Sequence, residues 1–212
     1  MNGVRFGAYH SYDDLQLILT SKTIGQAAVK EKKVNIEGGD GVLDYTEYFG
    51  GVMFNNRQLY FEFETIVPKS QFPALYSSVL NALNGQKVHI VLDDDSDFYY
   101  VGRLAISDFT SEKGVGSIQI DCDCEPYKYK LTDTVVTKAV SGTTTITLSN
   151  LRKRVVPEIT TDAEMTIVFN GVSTTASAGI FQIPTLELSE GTNTVTVTGT
   201  GTITFTYREG CL

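Results

Sequence analysis

A mainly β protein in two domains, with one helix in the first, is what this sequence predicts. Three observations carry that expectation. Short runs alternate apolar and polar residues at period two along most of the chain, one stretch alone shows spacings of three and four, and the composition changes near residues 130 to 134. The 212 residues are enough for two domains with a core each.

In the first part, Gln58-Leu59-Tyr60-Phe61-Glu62-Phe63-Glu64 and Ser117-Ile118-Gln119-Ile120-Asp121-Cys122 alternate as half-buried strands do, and Val88 to Leu92 is a short apolar run. From Ser70 to Leu83 the apolar positions Phe72, Leu75, Tyr76, Val79, Leu80 and Leu83 fall on one helical face. Pro73 suits the first turn, and Gly85 follows the end. Asp93-Asp94-Asp95-Ser96-Asp97 lies between two strand-like runs and reads as a solvated hairpin turn. In the second part, strands are expected near Ala139 to Leu148, Met165 to Phe169, Gly179 to Ile183, Thr194 to Thr198 and Thr202 to Tyr207. Turns are expected at Asn170-Gly171, Ser189-Glu190-Gly191 and Gly199-Thr200-Gly201. Short strands in series without helices between them indicate a β-sandwich.

Charge bounds the partners. The chain carries a net charge of -8, of which residues 1 to 130, with 12 basic and 18 acidic side chains, supply most. Such a surface repels polyphosphate and anionic lipid, and Arg152-Lys153-Arg154 is too short and lacks interleaved aromatics, so neither nucleic acid nor membrane is an expected partner. No apolar run approaches the roughly 18 residues that span a bilayer, and residues 1 to 6 lack the apolar core of a secretory signal. Of three cysteines, Cys122 and Cys124 flank one residue in a strand, which favours idle thiols in a reducing compartment over a disulfide.

The residues that carry catalytic chemistry are sparse. There are two histidines, His10 and His89, and no nucleophile elbow, zinc-protease helix or P-loop. Asp93, Asp95 and Asp97 copy the first three ligands of a calcium loop, but Phe98 and Leu104 stand where it needs Gly and a bidentate Glu. The Cys-x-Cys pair has no second pair to complete a zinc site. Gly38-Gly39-Asp40-Gly41, acidic and not followed by a helix, reads as a turn needing positive φ rather than a phosphate loop. No catalytic residue, cofactor or metal ligand is therefore expected.

The run Phe6-Gly7-Ala8-Tyr9-His10-Ser11-Tyr12-Asp13-Asp14-Leu15, then Gly41-Val42-Leu43-Asp44-Tyr45-Thr46-Glu47, Asn56-Arg57-Gln58-Leu59-Tyr60-Phe61, the helix, and Cys124-Glu125-Pro126-Tyr127-Lys128-Tyr129 resemble, in order and spacing, the amino-terminal domain of the distal tail (Dit) proteins of long-tailed bacteriophages and prophages. The resemblance implies a ring-forming domain over residues 1–133, β-sandwich-like with one α-helix. It implies a small galectin-like β-sandwich over 134–212, where the likeness is looser. It further implies a homo-hexameric ring, single or stacked in two, in the baseplate or tail tip of a virion assembled in a bacterial cytoplasm. The ring would join the tail tube protein to tip or receptor-binding proteins and let DNA pass without sequence-specific contact. Gly7, Ser11, Asp13, Gly41, Asp44, Arg57, Pro126 and Tyr127 match the motif and are read as structural, with Asp44 and Arg57 as an ion pair. Phe61 and Phe63 alternate into a core, whereas Tyr45, Tyr48, Phe49 and Phe54, in turn-rich sequence, are candidates for the ring interface. The rival reading is a carbohydrate-binding module in the second domain. It would need an exposed aromatic ring, and only Phe169, Phe181, Phe205 and Tyr207 are available in residues 131–212.

Overall fold

The computed structural model describes residues 3–48, 50–65, 67–112 and 114–212, and divides into two compact units, 1–128 with Leu212, and 129–211. Along the first unit run β1 (Val4–Phe6), β2 (Tyr9–His10), β3 (Leu17–Ile24), β4 (Lys33–Asn35), β5 (Val42–Asp44), β6 (Arg57–Thr65), α1 (Phe72–Leu83), β7 (Lys87–Leu92), β8 (Phe98–Glu112) and β9 (Val115–Cys124). Its main sheet has the order β2-β1-β7-β8-β9-β6-β3, with β4 and β5 forming a separate two-stranded ribbon. The period-two reading holds residue by residue. In β6, Arg57, Leu59, Phe61 and Phe63 are buried between exposed neighbours, and in β9, Ile118, Ile120, Cys122 and Cys124 face the same core. Phe6 packs edge-on against Phe61 and Phe63. The helix turns Val79 and Leu83 onto that core, with Leu75 and Tyr76 partly buried against it, and Tyr76 stacks on Phe109 at 4.7 Å. The thiols of Cys122 and Cys124 are free; burial, then the charge of Asp123, pushes Cys124 up to about 12 and burial takes Cys122 higher still, so both are inert.

After β10 (Lys128–Lys130), whose first residue closes the first unit, the second unit contains β11 (Thr134–Asn150), β12 (Glu158–Thr161), β13 (Met165–Phe169), β14 (Val172–Ala176), β15 (Gly179–Gln182), β16 (Gly191–Tyr207) and β17 (Gly210–Cys211). Here the expected turn at Gly199-Thr200-Gly201 is corrected. β16 runs unbroken through it, paired with β11 from Gly191 to Tyr207. On its other side the first half of β16 pairs with β13 and the second half with β12. Each half thus carries a four-stranded layer, β11-β16-β13-β14 and β11-β16-β12-β15, and both layers send side chains into one core: Ile146, Val195, Val197 and Ile167 from the first, Val140, Ile203, Phe205 and Ile159 from the second. The glycines mark the corner between layers. A Cβ on Gly201 would stand 2.3 Å from Asp162 Oδ1, and one on Gly199 2.9 Å from Met165 Cγ; Gly142, across from Gly199, has φ of 81°. Strand glycine here permits close approach and a bend, not a reversal.

Glu209 follows β16 and is almost fully buried. Its side chain accepts hydrogen bonds from Lys130 Nζ and Thr134 Oγ1. Burial opposes its ionisation, but these bonds, the charge of Lys130 and the Leu151 backbone outweigh it and hold the carboxyl below its usual range. A depressed carboxyl contributes stability above its unfolded value, near 4.5, and loses it as pH falls through the folded value. Glu209→Gln is expected to lower stability by roughly 1.5–3 kcal/mol at pH 7, with the gap to wild type closing as pH falls below about 4. Thermal unfolding across pH 3 to 7 measures both.

Candidate assembly interface

Between β3 and β6 the chain leaves the main sheet and returns as an arm. Val29 bridges Phe54, Lys30 N–H donates to the Met53 carbonyl, Asn55 N–H to that of Ala28, and Tyr45 N–H to that of Lys32. Beyond these, β4 and β5 pair Lys33 with Asp44, Val34 with Leu43 and Asn35 with Val42. The turn between them has Gly38 at φ 78° and Gly41 at φ 76°, as the glycine run predicts.

That register sorts the side chains. Directly opposed residues share a face, so Val34 and Leu43 lie together with Ile36, and the Lys32–Tyr45 step adds Tyr45 and, at the root end, Lys32. Lys33, Asn35 and Asp44 take the other face with Val42. The ribbon is amphipathic, yet its apolar face is bare. Of eighteen exposed large hydrophobic side chains among the described residues, eight lie between Val29 and Met53, and Tyr48 is 74% exposed. Tyr45 and Tyr48 touch edge to face at 6.2 Å. An isolated two-stranded ribbon is marginal in water, and apolar surface gathered in this way marks a contact site.

The arm is fixed at its root by residues of the motif. Arg57, buried at the start of β6, donates through Nε to the Gly25 carbonyl at 2.8 Å and through Nη1 to the Pro126 carbonyl at 3.4 Å, with its guanidinium 5.5 Å from the centre of the Tyr100 ring. Gly25 has no room for a side chain, since a Cβ would stand 2.6 Å from the Gln58 carbonyl oxygen. Tyr127 packs edge-on against Phe54 at 5.9 Å. The expected Asp44–Arg57 pair is therefore corrected. Arg57 serves backbone carbonyls that no charge count reveals, and Asp44 accepts the Thr46 N–H at 2.9 Å within its own turn, its carboxyl lowered by the Thr46 hydrogen bonds. Tyr45 and Tyr48 lie in the arm, Phe54 is half-buried at its root, and Phe49 lies outside the described residues.

The remaining motif residues build a second knot. Gly7, at φ 60°, turns β1 into β2 and donates its N–H to the His89 carbonyl. Ser11 is fully buried; its Oγ accepts the Val4 N–H, and its carbonyl accepts the Leu17 N–H. His10 stands between two carboxylates, Asp13 Oδ2 at 3.0 Å from Nδ1 and Asp93 Oδ2 at 3.2 Å from Nε2. Asp93 also accepts the Gly3 N–H at 2.7 Å, Asp94 pairs with Lys22, and Asp95 with Lys128 at 2.6 Å. The acidic turn joins antiparallel β7 and β8 and is mostly exposed, as expected, and each of its first three carboxylates in addition holds a different segment. Gathered metal ligands are absent among the described residues, as is any helix long and apolar enough to cross a membrane. Phe169, Phe205 and Tyr207 are buried in the second unit and Phe181 packs against its core, leaving no open ring for a sugar among these four.

No family model and no curated protein matches the chain. Among solved structures it is similar to the crystal structure of SPP1 Dit (gp 19.1), described as a paradigm of the hub adsorption apparatus in phages infecting Gram-positive bacteria, at 15% identity, with a TM-score of 0.72 and full coverage of both chains.

Replacing Arg57 by Ala leaves two carbonyls without their donor. Stability is expected to fall by roughly 1.5–3 kcal/mol, and limited proteolysis followed by mass spectrometry is expected to show faster cleavage within residues 26–56 than in wild type. Over its full length the chain has the fold of a Dit protein.

Proposed function

We propose that this protein is a structural hub of a phage or prophage tail, assembled as a homo-hexameric ring in which the apolar face of the 26–56 arm buries against the neighbouring copy. The observation that carries this reading is a bare amphipathic ribbon, rooted by a buried guanidinium, on a chain with the Dit fold. A ring needs a head-to-tail contact that closes, and an arm reaching out of one copy supplies the donor half of it. Tyr45, Tyr48, Leu43 and Val34 are the side chains that would be covered, and aromatic and aliphatic anchors of this kind dominate interfaces.

On this reading the ring joins the tail tube protein to the tip and receptor-binding proteins of the virion, and the second unit, a small galectin-like sandwich, belongs to its periphery. The role is mechanical and involves no bond making. An acidic subunit is suited to it, because a wall without a basic track does not grip passing DNA.

Light scattering across a concentration series is expected to give six or twelve times 23.2 kDa. Leu43→Asp, which places a charge on the apolar face, is expected to disperse the ring while leaving the melting temperature of the dispersed chain within what a surface change produces, about 0.5 kcal/mol. A wild-type chain that stays monomeric at every concentration, or a Leu43→Asp ring as large as wild type, would overturn the assignment of the arm.

A further inference from the structure

An apolar arm needs a surface to receive it. Outside residues 26–56, the exposed large hydrophobic side chains described for the first unit are Tyr9, Tyr12, Ile24, Tyr60, Val115 and Leu212. Ile24 and Tyr60 lie on paired β3 and β6, where the arm itself departs and returns. Tyr9 and Tyr12, 43% and 40% exposed, belong instead to the knot that the motif residues build.

That knot is stiffer than an ordinary loop. His10 and Ser11 are buried, the N–H groups of Asp14 and Leu15 both donate to the His10 carbonyl, and Asp14 Oδ2 accepts the His10 N–H at 2.6 Å. Gln16 is held at φ 54°, a left-handed value that strains any residue with a side chain and persists only where its surroundings impose it. Leu15 and Leu17, buried on either side, impose it here. A surface fixed in this way loses little entropy when a partner docks on it.

We infer that the Tyr9–Asp14 knot is the surface on which the arm of the neighbouring copy docks, with Lys32 of the arm set against Asp13. This rests on the head-to-tail assembly proposed above. Charge is the first observation that selects the occupant. Asp13, 68% exposed, and the exposed Asp14 give the knot an acidic rim beside its two rings, while the arm brings Lys32 on its apolar face next to Tyr45. Lys33, on the opposite face, is already paired with Glu31. Place is the second observation, because a head-to-tail contact requires donor and acceptor patches at different points of one chain. The Ser11 carbonyl accepts the Leu17 N–H at the start of β3, and Arg57 holds the Gly25 carbonyl just past its end, so knot and arm root stand roughly 23 Å apart along an eight-residue strand. Tyr9 and Tyr12 of one copy then cover Val34, Leu43 and Tyr45 of the next, and tyrosine is a side chain that anchors interfaces.

The test is to co-express full-length Tyr12→Cys and Leu43→Cys chains and oxidise them gently. The expected product is a disulfide-linked dimer of one chain of each kind, mapped by mass spectrometry to the two introduced thiols, with none from either variant alone or from wild type. A second measurement reads the charges. Lys32→Glu is expected to raise the concentration at which half the chain is assembled by about tenfold, and Asp13→Lys in the same chain to restore it, because like charges across a contact repel and the exchanged pair attracts. A wild-type chain of six-copy mass that gives no mixed dimer would overturn this inference and leave the ring reading standing. A wild-type chain that stays monomeric at every concentration would overturn both. Loss of assembly in the doubly exchanged variant, with an unchanged circular dichroism spectrum, would equally refute the pairing of Lys32 with Asp13.

Discussion

A buried guanidinium fixes the point at which the arm of the first unit leaves the sheet and returns to it. Arg57 donates to one carbonyl just before the arm leaves the sheet and to another just after β9 ends, so three segments far apart in sequence meet at one planar group. An arm with few internal contacts would otherwise sample many directions, and a contact made through it would bear the entropy of ordering the root as well as the ribbon. With the root fixed, only the ribbon itself remains to be ordered. Tyr100 beneath the guanidinium and Tyr127 against Phe54 close the same region with aromatic area instead of further charge.

The second unit meets a different constraint, which is to make two layers from strands that never leave the sheet. Its solution is a paired ribbon, β11 with β16, long enough to serve both layers and folded at a point where Gly142, Gly199 and Gly201 gather. The buried residues of β16 keep odd numbers on both sides of the corner, from Val195 and Val197 to Ile203, Phe205 and Tyr207. The strand therefore bends without slipping in register, and one continuous alternation fills a core from both sides. The same economy leaves β11 as the edge of both layers.

How much of this could be read beforehand depended on whether the signal was local. Alternation in β6, β9 and β13 follows from residues two apart, and the helix from residues three and four apart, so those elements stood in the sequence almost to the residue. Glycine in an alternating run is ambiguous, since φ freedom serves a reversal and a corner alike; only the long partner strand decides, and there Gly199 lies opposite Gly142, far back in the chain. Arg57 was matched with Asp44 because a sequence displays charges and hides carbonyls. The tyrosines of the arm were legible as turn-rich aromatics, but the apolar face formed by Val34, Ile36 and Leu43 was not, because it exists only in the register of β4 with β5. The Asp93–Asp95 turn was legible as an exposed turn, but what its carboxylates hold was not, because Gly3, His10, Lys22 and Lys128 are distant in the chain.

Self-repulsion explains where such a chain can associate. At net charge -8, most approaches of one copy to another bring carboxylates together, and the penalty grows with each subunit added. Contacts that survive are those where charge is absent or turned aside. The arm approaches this by turning Lys33 and Asp44 to one face, with Val42, while Val34, Ile36, Leu43 and Tyr45 share the other with Lys32, whose charge is opposite to the chain's net charge. An amphipathic arm is one-sided and pairs with something unlike itself, which is what a head-to-tail contact that closes on itself requires.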